Sequence, residues 1–224
     1  MVPRMASPAQ LVRTLSETTG VPLATVTDLD RRLVKGALRT KGGRGLYAAR
    51  MTPLDAARLL TAMLGASQSI LAAAAVGRYA KTRVERSRSS DDLFGASGLT
   101  DLASLNPDHS FVDGLKSLIA SAADGALARL IAETKRTGAI PSIEVFAFTE
   151  ATNGRIRLTG LPNRMTVSVE YLPARTHLKG RPARSAKRGA FGADESVGDL
   201  EQSRRVTERT ILAVANLLAE EPPK

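Results

Sequence analysis

Between Leu15 and Leu60 the chain reads LSETTGVPLATVTDLDRRLVKGALRTKGGRGLYAARMTPLDAARLL, and the punctuation of this stretch decides the fold. Just upstream, Ser7 followed by Pro8 is a helix start, because Pro fits the first helical turn and Ser caps it. Leu11, Val12 and Leu15 then mark an inner face, and Gly20 ends the helix. Val21-Pro22 makes a short turn, after which Leu23, Ala24, Thr25, Val26, Leu29 and Leu33 carry a second helix to Gly36. Two helices joined by a turn of a few residues containing Gly form a helix-turn-helix, whose second helix lies in a DNA major groove. Beyond it, Arg39, Lys41, Arg44 and Arg50 surround Gly42-Gly43 and Gly45. A basic hairpin tip of this kind enters a minor groove or clamps phosphates.

The charge supports that direction. The 224 residues carry a net charge of +10. Residues 1–50 alone hold nine Lys and Arg against three acids, Glu17, Asp28 and Asp30. Cations that neutralise phosphates gain free energy by releasing condensed counterions. With no Cys, thiolate metal sites, Cys nucleophiles and a disulfide-stapled secreted domain are excluded. A reducing, cytoplasmic and nucleoid-associated setting is the expectation. Aromatics are only 4% with no Trp, so the core must come from Leu, Val, Ile and Ala, which favours helices.

Outward from the basic module the expectation is a mainly α chain with a small antiparallel β part, an α+β fold. Residues 1–65 form the DNA-binding unit and 66–137 a helical core or oligomerisation region. One helix runs from Pro53 to about Ala80 behind the N-cap Thr52, and a second from Ser110 to about Arg136. A polar linker from Arg83 to Asp108 separates them. Leu59 to Gly77 is uncharged and of bilayer length, but Thr61, Ser67, Gln68, Ser69 and two Gly interrupt it. A buried Ala-rich helix, or two helices broken near Gly65, is expected there, and no membrane partner. In the second helix Phe111, Leu115, Leu118, Ile119, Ala122, Ala126 and Leu130 form an apolar stripe.

Residues 138–173 change period. Ile143, Val145 and Ala147 alternate with Glu144, Phe146 and Phe148, Asn153-Gly154 supplies a hairpin turn, and Ile156 and Leu158 return. Met165, Val167, Val169 and Tyr171 complete a three-stranded meander that needs a helix to cover it. Residues 174–197 read as a basic tether, with six bases and no acid from Ala174 to Ala193. Residues 198–224 hold a last helix, about Asp199 to Ala219, with Ile211, Val214, Ala215 and Leu218 on one face.

The Leu15–Leu60 string resembles the winged helix-turn-helix of bacterial regulators, most closely the MerR-like subgroup, over about a quarter of the chain. In that group the wing carries Gly, Arg and Tyr and a helix opening with Asp follows, and here Gly43, Arg44, Tyr47 and Asp55 sit correspondingly. Asp28, Leu29 and Asp30 stand where MerR regulators usually have paired tyrosines, and neither sensing cysteines nor a long coiled coil follows. Similar modules occur in phage excisionases and small terminase subunits.

From the residues themselves, Thr25, Thr27 and Asp28 are placed to reach base edges, and Arg31, Arg32 and Lys35 to meet phosphates or bases. Arg39, Lys41, Arg44 and Arg50 belong to the wing, which the resemblance extends to Tyr47. Asp28 and Asp30 would repel phosphate. The expected partner is double-stranded DNA, bound by a homo-oligomer acting as a transcription regulator of bacterial or phage type. The alternatives are a small-terminase-like packaging subunit and a protein-interaction factor with a DNA-localising module. No enzyme, cofactor or metal site is expected. Gly42-Gly43-Arg44-Gly45 lacks the spacing of a phosphate loop, and His109 and His177 lie apart in polar segments as surface residues.

Overall fold

Three helices open on reciprocal caps that the sequence writes out locally. Ser7 starts α1 (Pro8–Thr19), Thr52 starts α3 (Pro53–Gly65) and Ser110 starts α6 (Phe111–Ala123). Each hydroxyl accepts from the N–H three residues on, while Gln10, Asp55 or Asp113 reaches back to the cap's own N–H. Each cap contributes about 1 kcal/mol. Helix α2 (Leu23–Lys35) has no side-chain cap, and its start is set by the turn after Gly20, whose φ of 74° lies in the left-handed region.

The computed structural model describes residues 6–42, 49–85, 94, 97–149, 152–161, 165–173 and 202–219. Among these the fold is α+β, with eight α-helices and a five-stranded antiparallel sheet. The remaining helices are α4 (Ala72–Tyr79), α5 (Thr100–Ala103), α7 (Ala126–Arg136) and α8 (Glu208–Leu218). The strands β1 (Thr82–Val84), β2 (Ser142–Phe148), β3 (Gly154–Leu161), β4 (Met165–Pro173) and β5 (Ser203–Thr207) lie in the order β1-β4-β3-β2-β5. The three strands expected from alternation are the centre of this sheet, and β1 and β5 extend it at the two edges.

Several expectations are corrected. Over Pro53–Ala80 the continuous helix is corrected and the alternative of two helices broken near Gly65 holds: Ala66 is extended, a 3-10 turn spans Ser69–Leu71, and α4 folds back until the Tyr79 ring lies on Gly65, where a Cβ would collide with it. None of the described helices is long and apolar enough to cross a membrane. The helix expected over Ser110–Arg136 divides at Gly125, whose φ is 75°. The polar linker includes the end of β1 and all of α5, and buries Phe94, Leu99 and Leu102. Residues 203–207 of the expected last helix are a strand, because the open edge of β2 offers them backbone partners from Glu144 to Phe148. At the β2–β3 turn the positive φ belongs to Thr152, at 52°, and not to Asn153-Gly154. Gly154 is needed for space, since a Cβ would come within 2.5 Å of the Phe111 ring. The expected tether, residues 174–197, lies outside the described residues; β4 ends before it at Pro173 and β5 begins after it at Ser203.

The segments divided by composition share one core. Its buried side chains run from Ala6 to Ala215. Helix α3 packs on α6, and the apolar face of α8 covers both α6 and α1, so the last helix is built into the N-terminal module. His109, expected at the surface, is buried here. Its Nδ1–H donates to the Asn106 carbonyl at 2.8 Å, which leaves Nε2 to accept from the Tyr171 hydroxyl at 2.9 Å. Burial holds its pKa below the ordinary histidine range, and burial likewise pushes the Tyr171 phenol up. Tyr79 completes the aromatic junction: its ring lies 5.1 Å from Phe111, its hydroxyl donates to the Phe148 and Asn153 carbonyls, and burial raises its pKa to about 12.

Candidate nucleic-acid interface

Helix α2 is amphipathic in a way that separates its charges. Val26, Leu29 and Leu33 are fully or nearly buried, and the same spacing places Asp30 inside with them, only 8% exposed. Ala24, Asp28, Arg31 and Lys35, three or four residues apart, share the opposite face. Ala24, Thr25, Arg31 and Lys35 are exposed. Among the described residues neither Arg31 nor Lys35 has a hydrogen-bond or ion-pair partner.

Both acids of this helix are occupied. Asp28 accepts a hydrogen bond from the Ser69 hydroxyl on the 3-10 turn, and Arg32 Nε lies 3.5 Å from its other oxygen. The Ser69 hydrogen bond, followed by Arg32 and Arg31, holds the Asp28 carboxyl below the ordinary carboxylate range. Asp30 lies 2.7 Å from Arg39 Nε in a nearly dry contact, with side-chain exposures of 11% and 12%. The N–H is not aligned on the oxygen, so the pair is held by charge more than by hydrogen-bond geometry. Burial pushes the Asp30 pKa up, against the opposing pull of Arg39, and nearby Asp55 adds to the rise. Asp30 therefore projects no charge towards solvent.

The loop after α2 is closed at its neck by one carboxylate. Asp55, 2% exposed, accepts from Thr40 N–H at 2.8 Å and Thr40 Oγ1 at 3.0 Å on one side of the loop. On the other side it accepts from Thr52 N–H at 3.0 Å and Thr52 Oγ1 at 2.7 Å. Arg58 donates to the Leu38 carbonyl at 3.1 Å, and Met51 N–H to the Ala6 carbonyl at 3.0 Å. Lys41 and Arg50 leave this neck exposed. Among the described residues of the loop no strand is formed. Arg44 and Tyr47, with the glycines Gly43 and Gly45, lie outside the described residues.

The structure therefore sorts the expected contact residues. Thr25, Arg31, Lys35, Lys41 and Arg50 are exposed, and Arg32 is half-buried beside Asp28. The Thr27 hydroxyl donates to the Leu23 carbonyl at 2.7 Å, and its side chain is half-buried. Asp28 is tied to Ser69 and Arg39 to Asp30, so neither is free for a ligand. Sequence reasoning missed Asp55 as the clasp of the loop and Arg58 as its second anchor. The signal for Asp30 was present in its place on the apolar stripe. Comparison of the chain with family models, with curated proteins and with solved structures finds no match.

Proposed function

We propose that the N-terminal module binds double-stranded DNA as a winged helix-turn-helix, with α2 in the major groove and the exposed Lys41 and Arg50 on the adjacent backbone. What carries this reading is the sorting of charge on α2: its two acids are paired within the protein, while Arg31 and Lys35 face solvent unpaired. A helix so arranged meets phosphate without the repulsion its composition suggests. Thr25 and Thr27, in its first turns, are the residues suited to base edges. The physiological role that fits a sequence reader with an oligomeric mode of binding is transcription regulation of bacterial or phage type.

Selection of bound sequences from a random duplex pool tests the reading. A preferred site should emerge, and Thr25→Ala with Thr27→Ala should reduce preference for it by roughly 1–3 kcal/mol per lost base contact. Affinity for random duplex should stay nearly unchanged. Enrichment of no sequence, with no duplex affinity at low salt, would defeat the proposal.

A further inference from the structure

Helices α3, α6 and α8 meet the sheet on the side of Ile143, Val145 and Ala147, all buried. The alternate residues of β2 point to the other side, where Glu144, Phe146 and Phe148 are only half-buried. In register, Phe146 stands directly between Arg155 of β3 and Arg205 of β5, and the Arg205 guanidinium carbon lies 5.9 Å from the ring centroid. Two carboxylates beside Phe146 are engaged, Arg205 lying 2.7 Å from Glu144 and Arg155 2.6 Å from Glu170, and a third, the exposed Glu85, stands next to Glu170 at the β1 edge of the face. Arg157, opposite Glu144 on β3, is exposed and has no ion-pair or hydrogen-bond partner among the described residues.

We propose that this open face of the sheet binds single-stranded nucleic acid, with bases stacked on Phe146 and Phe148 and phosphates met by Arg157. Aromatic rings and guanidinium planes offer stacking surfaces that every base can use, and the adjoining cations follow the backbone. Spacing selects the single strand. Two residues along a strand separate the rings by about 6.7 Å, roughly twice the 3.4 Å rise per nucleotide of duplex DNA. Bases at that distance are unstacked from one another and open to a ring, whereas a duplex keeps its base faces covered. The inference is independent of the N-terminal module, which is proposed to bind duplex.

The experiment is fluorescence anisotropy of the full chain with a labelled oligothymidylate of twelve nucleotides and, separately, a duplex of equal length. Phe146→Ala should weaken oligothymidylate binding about tenfold, Phe146→Tyr should restore it, and Arg157→Ala should lower its salt slope by about 0.7. Arg31→Ala with Lys35→Ala should weaken the duplex and leave oligothymidylate nearly as tight as before. Circular dichroism melting checks each variant, and Arg157→Glu carries the test if Phe146→Ala fails to fold. Wild-type affinity for oligothymidylate in Phe146→Ala and Arg157→Glu, or no binding by the unaltered chain, overturns the proposal. So does loss of oligothymidylate binding in the α2 variant alone, which would place the single strand on the N-terminal module. An acidic peptide that binds this face where oligothymidylate does not would assign it to a protein partner instead.

Discussion

Arg39 and Asp30 face each other at the neck of the loop after α2, 2.7 Å apart and nearly out of solvent. The arginine that in sequence looks most like the first residue of a basic wing is thus spent inside the protein. Arg39→Ala leaves a buried carboxylate without its cation, a change that typically costs about 3–5 kcal/mol. Denaturant unfolding should show that loss. Replacing both partners by apolar residues, Asp30→Leu with Arg39→Met, should recover most of it. If Arg39→Ala melts like the unaltered chain and only duplex affinity falls, the side chain is a contact residue and not a strut.

The buried His109 gives stability a pH dependence of defined sign. Its folded pKa is depressed, so between the unfolded value near 6.5 and the lower folded value the unfolded chain binds the extra proton. Stability is complete above the unfolded pKa and is lost as pH falls from there towards the folded pKa. Thermal melting from pH 8 to pH 5 should therefore show Tm falling below about 6.5, with His109→Gln flattening that part of the curve. An unaltered curve in the variant would place the titrating group elsewhere.

Gly114 on α6 faces the Tyr171 hydroxyl, and a Cβ there would collide with it. Gly114→Ala should destabilise by about 1–3 kcal/mol through overpacking. Tyr171→Phe removes the colliding oxygen but deprives His109 Nε2 of its donor. The two changes should couple by about 1 kcal/mol or more, the double variant being less damaged than the sum of the singles. Strict additivity in a double-mutant cycle would contradict this contact.

How far the chain can be read beforehand follows from the range of each interaction. The starts of α1, α3 and α6 are legible because Ser7, Thr52 and Ser110 meet their partners three residues on. The inner faces of α2 and β2 are legible because Val26, Leu29 and Leu33, and then Ile143, Val145 and Ala147, keep a single period. Asp30 shares the first of these stripes, which marks it as a carboxylate in need of a cation. Which arginine answers it is not legible, since Arg31, Arg32 and Arg39 differ only in tertiary position. The Ser69–Asp28 contact spans 41 residues and carries no local mark. Strand β5 is hidden for another reason: Ser203-Arg-Arg-Val-Thr has one apolar residue, Val206, and is a strand because β2 presents a free edge.

The central claim is that the outward charge of α2 is positive because its acids are taken up internally. The most direct measurement is the slope of log affinity against log salt for a duplex, compared between the unaltered chain and Arg31→Ala with Lys35→Ala. The slope should fall by about two, one for each lost phosphate contact, while Asp28→Ala should tighten binding at low salt by freeing Arg32 from its ion pair. A slope unchanged by loss of Arg31 and Lys35, in a variant that melts normally, would contradict the account.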